Sequence, residues 1–213
     1  MDVSIAAIRP HYSPVTNGKD IVESPSIQNI IEALRLSPHP EGGFFNEVDR
    51  HPLRITNPHR KDNNVTGDEH RSASTTIYYF LTPQSPLGHF HRNQSRTVHT
   101  LHRGRGRYVI IHADQASENG GKAPIESFIV GHQIEKGERL QWIVEGGKYK
   151  SSYLLPDPEA ESSGQEETKG LLISETVVPG FEFDDHDFLT EEGIDQLLTP
   201  EQVQELRWMV RSS

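Results

Sequence analysis

From Gly42 to Phe181 the chain alternates short β-branched and aromatic runs with Gly, Pro, Asn and Asp. The runs are GGFFNEV, STTIYYFLT, HFHRN, RTVHTLHRG, GRYVIIHAD, SFIVGHQ, RLQWIVEGG, KSSYLL and GLLISETVVPGF. No helix-period segment intervenes. Many short strands with turn signals predict a sandwich or barrel rather than strand–helix–strand units. Helical periodicity is confined to the two ends. Ser26 is a candidate cap for a helix on which Ile27, Ile30, Ile31 and Leu34 share a face, and SPHPEGG stops it. Thr199-Pro-Glu-Gln is a capping box with proline at the first helical position, followed by Val203, Leu206 and Met209 on one face.

Residues 1–25 show no periodicity and are expected to form a flexible arm, ordered only by docking. Residues 26–213 then form a single domain, since a 213-residue chain holds one sizeable core but is short for two. Segments 55–73 and 157–168 read as long surface loops. They carry much of the polarity behind the 33% hydrophobic content and the mean hydropathy of -0.65, so the remainder is ordinary globular sequence. No repeat supports a solenoid or propeller.

Lys and Arg number 21 against 31 Asp and Glu, a formal charge of -10 that disfavours nucleic acid and anionic membranes as partners. No apolar run approaches the roughly 20 residues of a membrane span, and the N-terminus lacks the charged and apolar regions of a signal peptide. A soluble cytoplasmic protein is expected. With no cysteine, any metal site has to be built from His, Asp or Glu.

The sharpest local pattern is Gly88-His89-Phe90-His91, followed by Thr97, His99 and Gly104. Strand alternation predicts that His89 and His91 share one face and that Thr97, His99 and Leu101 share another, so three imidazoles could converge. The alternative is that one face of HFH is simply solvated.

The runs PHPEGGFF, STTIYYFLTP, SPLGHFHRNQSRTVHTLHRGRGRYVIIHAD, QWIVEGGKYKSSYLLP and LLISETVVPGFEFDDHDF, spread over about residues 26–210, resemble the cupin family of unknown function found in bacteria and fungi, most closely its fungal members. The resemblance implies an all-β cupin jelly-roll barrel with a few flanking helices. It also implies a homodimer and a fold similar to sugar-nucleotide 3,5-epimerases and seed storage proteins. Metal-binding cupins use two His of an HxH, a Glu shortly after and a second-motif His. Here His89 and His91 match the pair, but the Glu position falls at Thr97 and the second His position at Lys150. A cationic amine at a ligand position opposes a divalent ion, so no cofactor is expected. A divalent metal on His89, His91 and His99 is the minority reading.

Without a metal the same groups suit acid–base chemistry, because a neutral imidazole is poised to take a proton near physiological pH. The expected function is a metal-independent isomerase, epimerase, cyclase or lyase acting on a small oxygenated or cyclic metabolite inside the barrel. His91, His89 and His99 are candidates for proton transfer, with Tyr79 as a further catalytic candidate. Lys150, Glu41, Tyr78, Thr97, Gln141 and Trp142 are candidates for binding substrate. Alternation requires either Tyr78 or Tyr79 to face inward, and Trp142 fits a plain core position. Lys150 is either a substrate anchor or half of an ion pair, and Glu175 fits an ion pair better than catalysis. The alternatives are a non-catalytic ligand-binding cupin and a metal-dependent oxygenase. The fungal likeness suits a tailoring role in secondary metabolism. His102 to Arg107 reads as a tight turn with solvated arginines rather than a phosphate cradle, and Asp184-Asp185-His186-Asp187 as a capping loop beyond the last barrel strand.

Overall fold

A computed structural model describes residues 8–12, 23–59, 69–158 and 168–212. Its strands are β1 (Ser37–Pro38), β2 (Phe44–Arg50), β3 (Arg54–Thr56), β4 (His70–Ser72), β5 (Thr75–Leu81), β6 (Leu87–Arg92), β7 (Arg96–Arg103), β8 (Gly106–Ile111), β9 (Ile125–Val130), β10 (Gln141–Val144), β11 (Tyr149–Leu154), β12 (Leu171–Val178) and β13 (Asp187–Phe188). The helices are α1 (Pro25–Ala33), α2 (Glu191–Leu197) and α3 (Pro200–Leu206). One sheet has the order β1-β2-β5-β12-β7-β10 and faces a second, β13-β6-β11-β8-β9. The named pairings in both sheets are antiparallel, giving the expected all-β jelly-roll.

Alternation sorts the side chains into an interior and two outer layers. Tyr79, Leu101, Tyr108, Ile110, Trp142 and Ile173 pack together between the sheets. On the far side of the second sheet, Leu87, Phe90, Val109, Tyr149 and Tyr153 pack against Ile194 of α2 and Val203 and Leu206 of α3. Ile8 is 1% exposed and joins this layer, so the expected arm is docked at that point. The rest of the arm before Glu23 lies outside the described residues, except for 9–12. Helix α1 covers Phe80 on the outer face of the first sheet with Ile27.

Three local expectations need correction. The cap of α1 is Ser24, whose Oγ accepts from the Ile27 N–H, with Pro25 at the first helical position; Ser26 lies inside the helix and binds Arg103. The 55–73 segment is not all loop, because β3 and β4 pair across it from Arg54↔Ser72 to Thr56↔His70; residues 60–68 lie outside the described residues, as do 159–167 of the second expected loop. The arginines of the β7–β8 turn are not all solvated. Gly104 takes the left-handed conformation the turn requires, but Arg105 is held by buried Glu138 and Arg107 is itself buried. Thr199 forms the capping box the sequence specifies.

A β-bulge in β6 decides what the interior contains. Lys150 of β11 pairs with His91 and Ser152 pairs with Gly88, so β6 spends one more residue than β11 over the same stretch. Gly88 and His91 therefore both face inward, while Leu87 and Phe90 both pack outward. Gly88 has no room for a side chain: a Cβ there would lie 2.4 Å from Tyr79 Oη and 3.3 Å from Ser152 Oγ. Tyr79 Oη in turn donates to the Gly42 carbonyl at 2.8 Å. Gly88→Ala is expected to cost about 1–3 kcal/mol of stability by overpacking. Urea unfolding followed by tryptophan fluorescence checks this, and a variant as stable as the parent would show that the bulge is not fixed by this contact.

Candidate functional site

Between the sheets lies a cavity of about 380 Å³ that reaches the surface. Its polar wall is formed by His39, Glu41, His91, Lys150, Glu175 and His186. They arrive on five segments, His39 and Glu41 sharing one. Glu41 sits in the turn before β2, His91 follows the bulge of β6, Lys150 and Glu175 lie on facing strands β11 and β12, and His186 lies in the loop leading to β13.

Lys150 is 3% exposed, so its charge requires partners. Its Nζ donates to Glu175 Oε2 at 2.6 Å and to His99 Nε2 at 3.0 Å, joining the two sheets across the barrel. Burial opposes ionisation of Glu175, but the Lys150 ammonium holds its carboxyl well below the usual carboxylate range. Burial, reinforced by Lys150, pushes the His99 imidazolium down. His99 is thus a neutral acceptor stacked on Trp142 at 5.1 Å between ring centroids.

Glu41 is the second centre. His186 Nε2 lies 2.8 Å from its Oε1 and His91 Nε2 lies 3.1 Å from its Oε2. Desolvation works against the carboxylate, yet His91, His186, His39 and Lys150 together hold it down at about 2. His91 is pushed from the ordinary 6.5 to about 4, by burial first, with Glu41 pulling the other way. Its Nδ1 lies 2.8 Å from the His89 carbonyl, which can only accept. That contact assigns the Nδ1 proton, and a neutral His91 then turns its Nε2 lone pair toward the carboxylate. A proton arriving at Glu41–His91 closes the 3.1 Å gap with a charge-assisted hydrogen bond. The two groups form one proton-accepting unit.

Of the candidate residues, the structure brings His91, Glu41 and Lys150 to the cavity. The expectation that His89 shares a face with His91 fails. The bulge turns His89 outward, where its Nδ1 lies 3.4 Å from the Met209 carbonyl. His99, Thr97 and Trp142 are buried inside the barrel behind the cavity wall, and Asn93 donates to Thr97 Oγ1. Tyr79 is the inward tyrosine, but its hydroxyl is engaged by the Gly42 carbonyl and burial pushes its pKa well above the ordinary value. Tyr78 packs with the α1 layer and Gln141 is exposed on β10 beside Thr100. His39 was not singled out by the sequence reading, and His186 was read only as part of a capping loop. Asp184 to Asp187 is more than a cap: Asp185 pairs with buried Arg71, His186 meets Glu41, and Asp187 pairs with Arg92.

The sequence profile of the Cupin superfamily (DUF985) matches residues 28–189. The chain belongs to this cupin family. An uncharacterized protein of Saccharomyces cerevisiae is 41% identical over 187 residues, covering 86% of each chain. A solved hypothetical protein from Leishmania major superposes with a TM-score of 0.69 at 29% identity, over 87% of this cupin and 98% of that chain. A Shewanella oneidensis protein of solved structure, at 22% identity, shares the fold with a TM-score of 0.66 over 87% of this chain and 98% of its own.

The donor atoms of this cupin do not fit a divalent ion. His89 points out of the cavity, and the Nε2 of His99 already accepts from an ammonium. Among the described residues no group of three or more His, Asp or Glu is arranged to hold a metal. No helix among them is long and apolar enough to cross a membrane.

These shifts give stability a defined pH dependence. A histidine depressed in the folded state stays neutral there while its unfolded counterpart takes a proton, so stability present above 6.5 is lost as pH falls toward 4 for His91. Glu41 adds a further loss as pH falls from 4.5 toward 2. Unfolding free energy measured in urea at stepped pH is expected to decline steadily below about pH 6.5, with a shallower decline in His91→Gln. A flat profile down to about pH 4.5 would contradict the burial assigned to these histidines.

Proposed function

We propose that this cupin is an enzyme that moves a proton on a small carbonyl-bearing molecule, without a metal, as an isomerase, epimerase, cyclase or lyase. The observation that carries the reading is the opening of a buried acid–base pair, Glu41–His91, and a buried cation, Lys150, onto one enclosed cavity. Proton abstraction beside a carbonyl needs a base at the carbon and a donor at the oxygen, because the electron pair left by the departing proton moves onto that oxygen.

In this scheme Glu41–His91 accepts the carbon-bound proton as a unit and the resulting enolate oxygen takes the remaining Lys150 N–H. Two of the three Lys150 protons are engaged by Glu175 and His99, leaving one for the ligand. His186 orients Glu41 by donating to its other oxygen. Return of the proton to the neighbouring carbon isomerises the ligand, return to the original carbon after the planar enolate turns its other face to Glu41–His91 inverts the centre, and loss of an adjacent leaving group completes an elimination. Glu175 and His99 are positioning residues that hold the Lys150 Nζ in place. Tyr79 has no role in the step, since its hydroxyl is engaged elsewhere.

The test is deuterium uptake. Ring ketones and hydroxyketones that bind by saturation-transfer NMR are incubated with the enzyme in heavy water and their α-protons are followed. The parent is expected to exchange at least one bound compound, with Glu41→Gln and His91→Asn slower by about 100-fold to 10,000-fold and still binding it. Tyr79→Phe is expected to retain exchange. Bound compounds that exchange no faster with the parent than with His91→Asn would overturn the catalytic reading and leave a binding protein.

A further inference from the structure

We infer that the cavity takes an uncharged, ring-bearing oxygenated molecule and rejects phosphorylated or carboxylated ones, a specificity that rests on the acid–base reading of the same site. The argument begins with where the positive charges are. Among the described residues lining the cavity, Arg50 and Lys150 are the only Lys or Arg. The charge of each is already matched by carboxylates.

Arg50 stands at the rim with its guanidinium fork already occupied. Its Nε and Nη2 donate to the two oxygens of Glu47 at 2.9 Å each, and its Nη1 donates to Glu182 at 3.0 Å. The remaining reach of Nη2 goes to the Phe181 carbonyl. Lys150, deeper in, is neutralised by Glu175. The neighbouring arginines are engaged in the same way, Arg71 by Asp185 and Arg92 through a two-pronged contact with Asp187. Glu41, Glu47 and Glu175 line the cavity against only two cations, and Glu182 joins them at the rim. The field is therefore negative. A phosphate entering here would have to shed its hydration without gaining a cation, or take Arg50 from two carboxylates and leave both uncompensated. The arrangement discriminates by repulsion.

The walls specify the rest. Phe45, Ile77, Val177, Phe181, Phe183 and Phe188 supply the apolar faces. Phe183 is 76% exposed at the mouth, edge-on to Phe181 with ring centroids 5.3 Å apart. Such rings present flat faces to a ring-shaped ligand, while the free Lys150 N–H asks for a carbonyl or hydroxyl oxygen at the base of the cavity. A volume of about 380 Å³ falls at the small end of ligand pockets, which suits a compact ring compound.

The specificity is checked by calorimetric titration of the full chain with three matched probes: para-hydroxyacetophenone, para-acetylphenyl phosphate and para-acetylbenzoate. The neutral ketone is expected to bind and the two anionic analogues to bind about tenfold or more weakly. Removing the restraint on Arg50 with the double variant Glu47→Gln and Glu182→Gln, both at partly exposed positions, is expected to raise affinity for the phosphate ester about tenfold or more while changing that for the ketone by less than about threefold. Equal or tighter binding of either anionic analogue to the parent overturns the inference, as does failure of the neutral ketone to bind at millimolar concentration. The two readings fail separately. A bound ketone with no deuterium exchange removes the chemistry and leaves the charge rule standing, whereas exchange of a preferred phosphate ester does the reverse.

Discussion

A lysine ammonium inside a β-barrel has to be matched by a carboxylate, and the rest of the interior is arranged around that requirement. Lys150 belongs to one sheet and Glu175 and His99 to the other, so the pair is also a tie between the two layers. Removing either partner would leave an uncompensated buried charge, which costs far more than the intact pair contributes. The tie fixes the distance between the sheets at the point where the apolar core gives way to a cavity. On one side of it the interior is filled by Tyr108, Trp142 and Ile173, and on the other Val177 of β12 and Thr75 of β5 line the cavity.

The second determinant is the displaced register of β6. One additional residue between Gly88 and His91 converts what would be two imidazoles on one face into one imidazole inside and one outside. The inward ring meets Glu41, and the backbone carbonyl of the outward residue fixes which nitrogen of the inward one holds its proton. The bulge thus does two things at once: it keeps His89 and His91 from entering the cavity together, and it presents the inward ring to Glu41.

How much of this the sequence showed depended on the range of the interactions involved. Strand and turn signals such as STTIYYFLT and the Thr199 capping box are local, and both elements form where they are written. Resemblance to a known family singled out Glu41 and Lys150, which no spacing argument could have tied to His91. The HFH motif misled because alternation holds only for an unbroken ladder, and the bulge is set by Gly88 meeting Tyr79 Oη and Ser152 Oγ from distant strands. His39 escaped notice, and His186 read only as part of a cap, for a related reason. They lie in turns whose positions are decided by tertiary contacts, such as the buried Arg71–Asp185 pair beside His186. Glu47, Arg50 and Glu182 carry no local signal, and only folding brings them together at one rim.

The segment from Phe181 to Phe188 has a property that no single contact conveys. Within eight consecutive residues it carries three aromatic walls of the cavity and the histidine that orients Glu41, together with two aspartates that anchor it to arginines of the scaffold. The polar groups Glu41, His91 and Lys150 and much of the apolar mouth of the cavity are therefore encoded in separable stretches of chain. A lineage can rewrite the phenylalanines of this cassette, keeping its anchoring aspartates, and reshape the mouth without disturbing the polar groups beneath it.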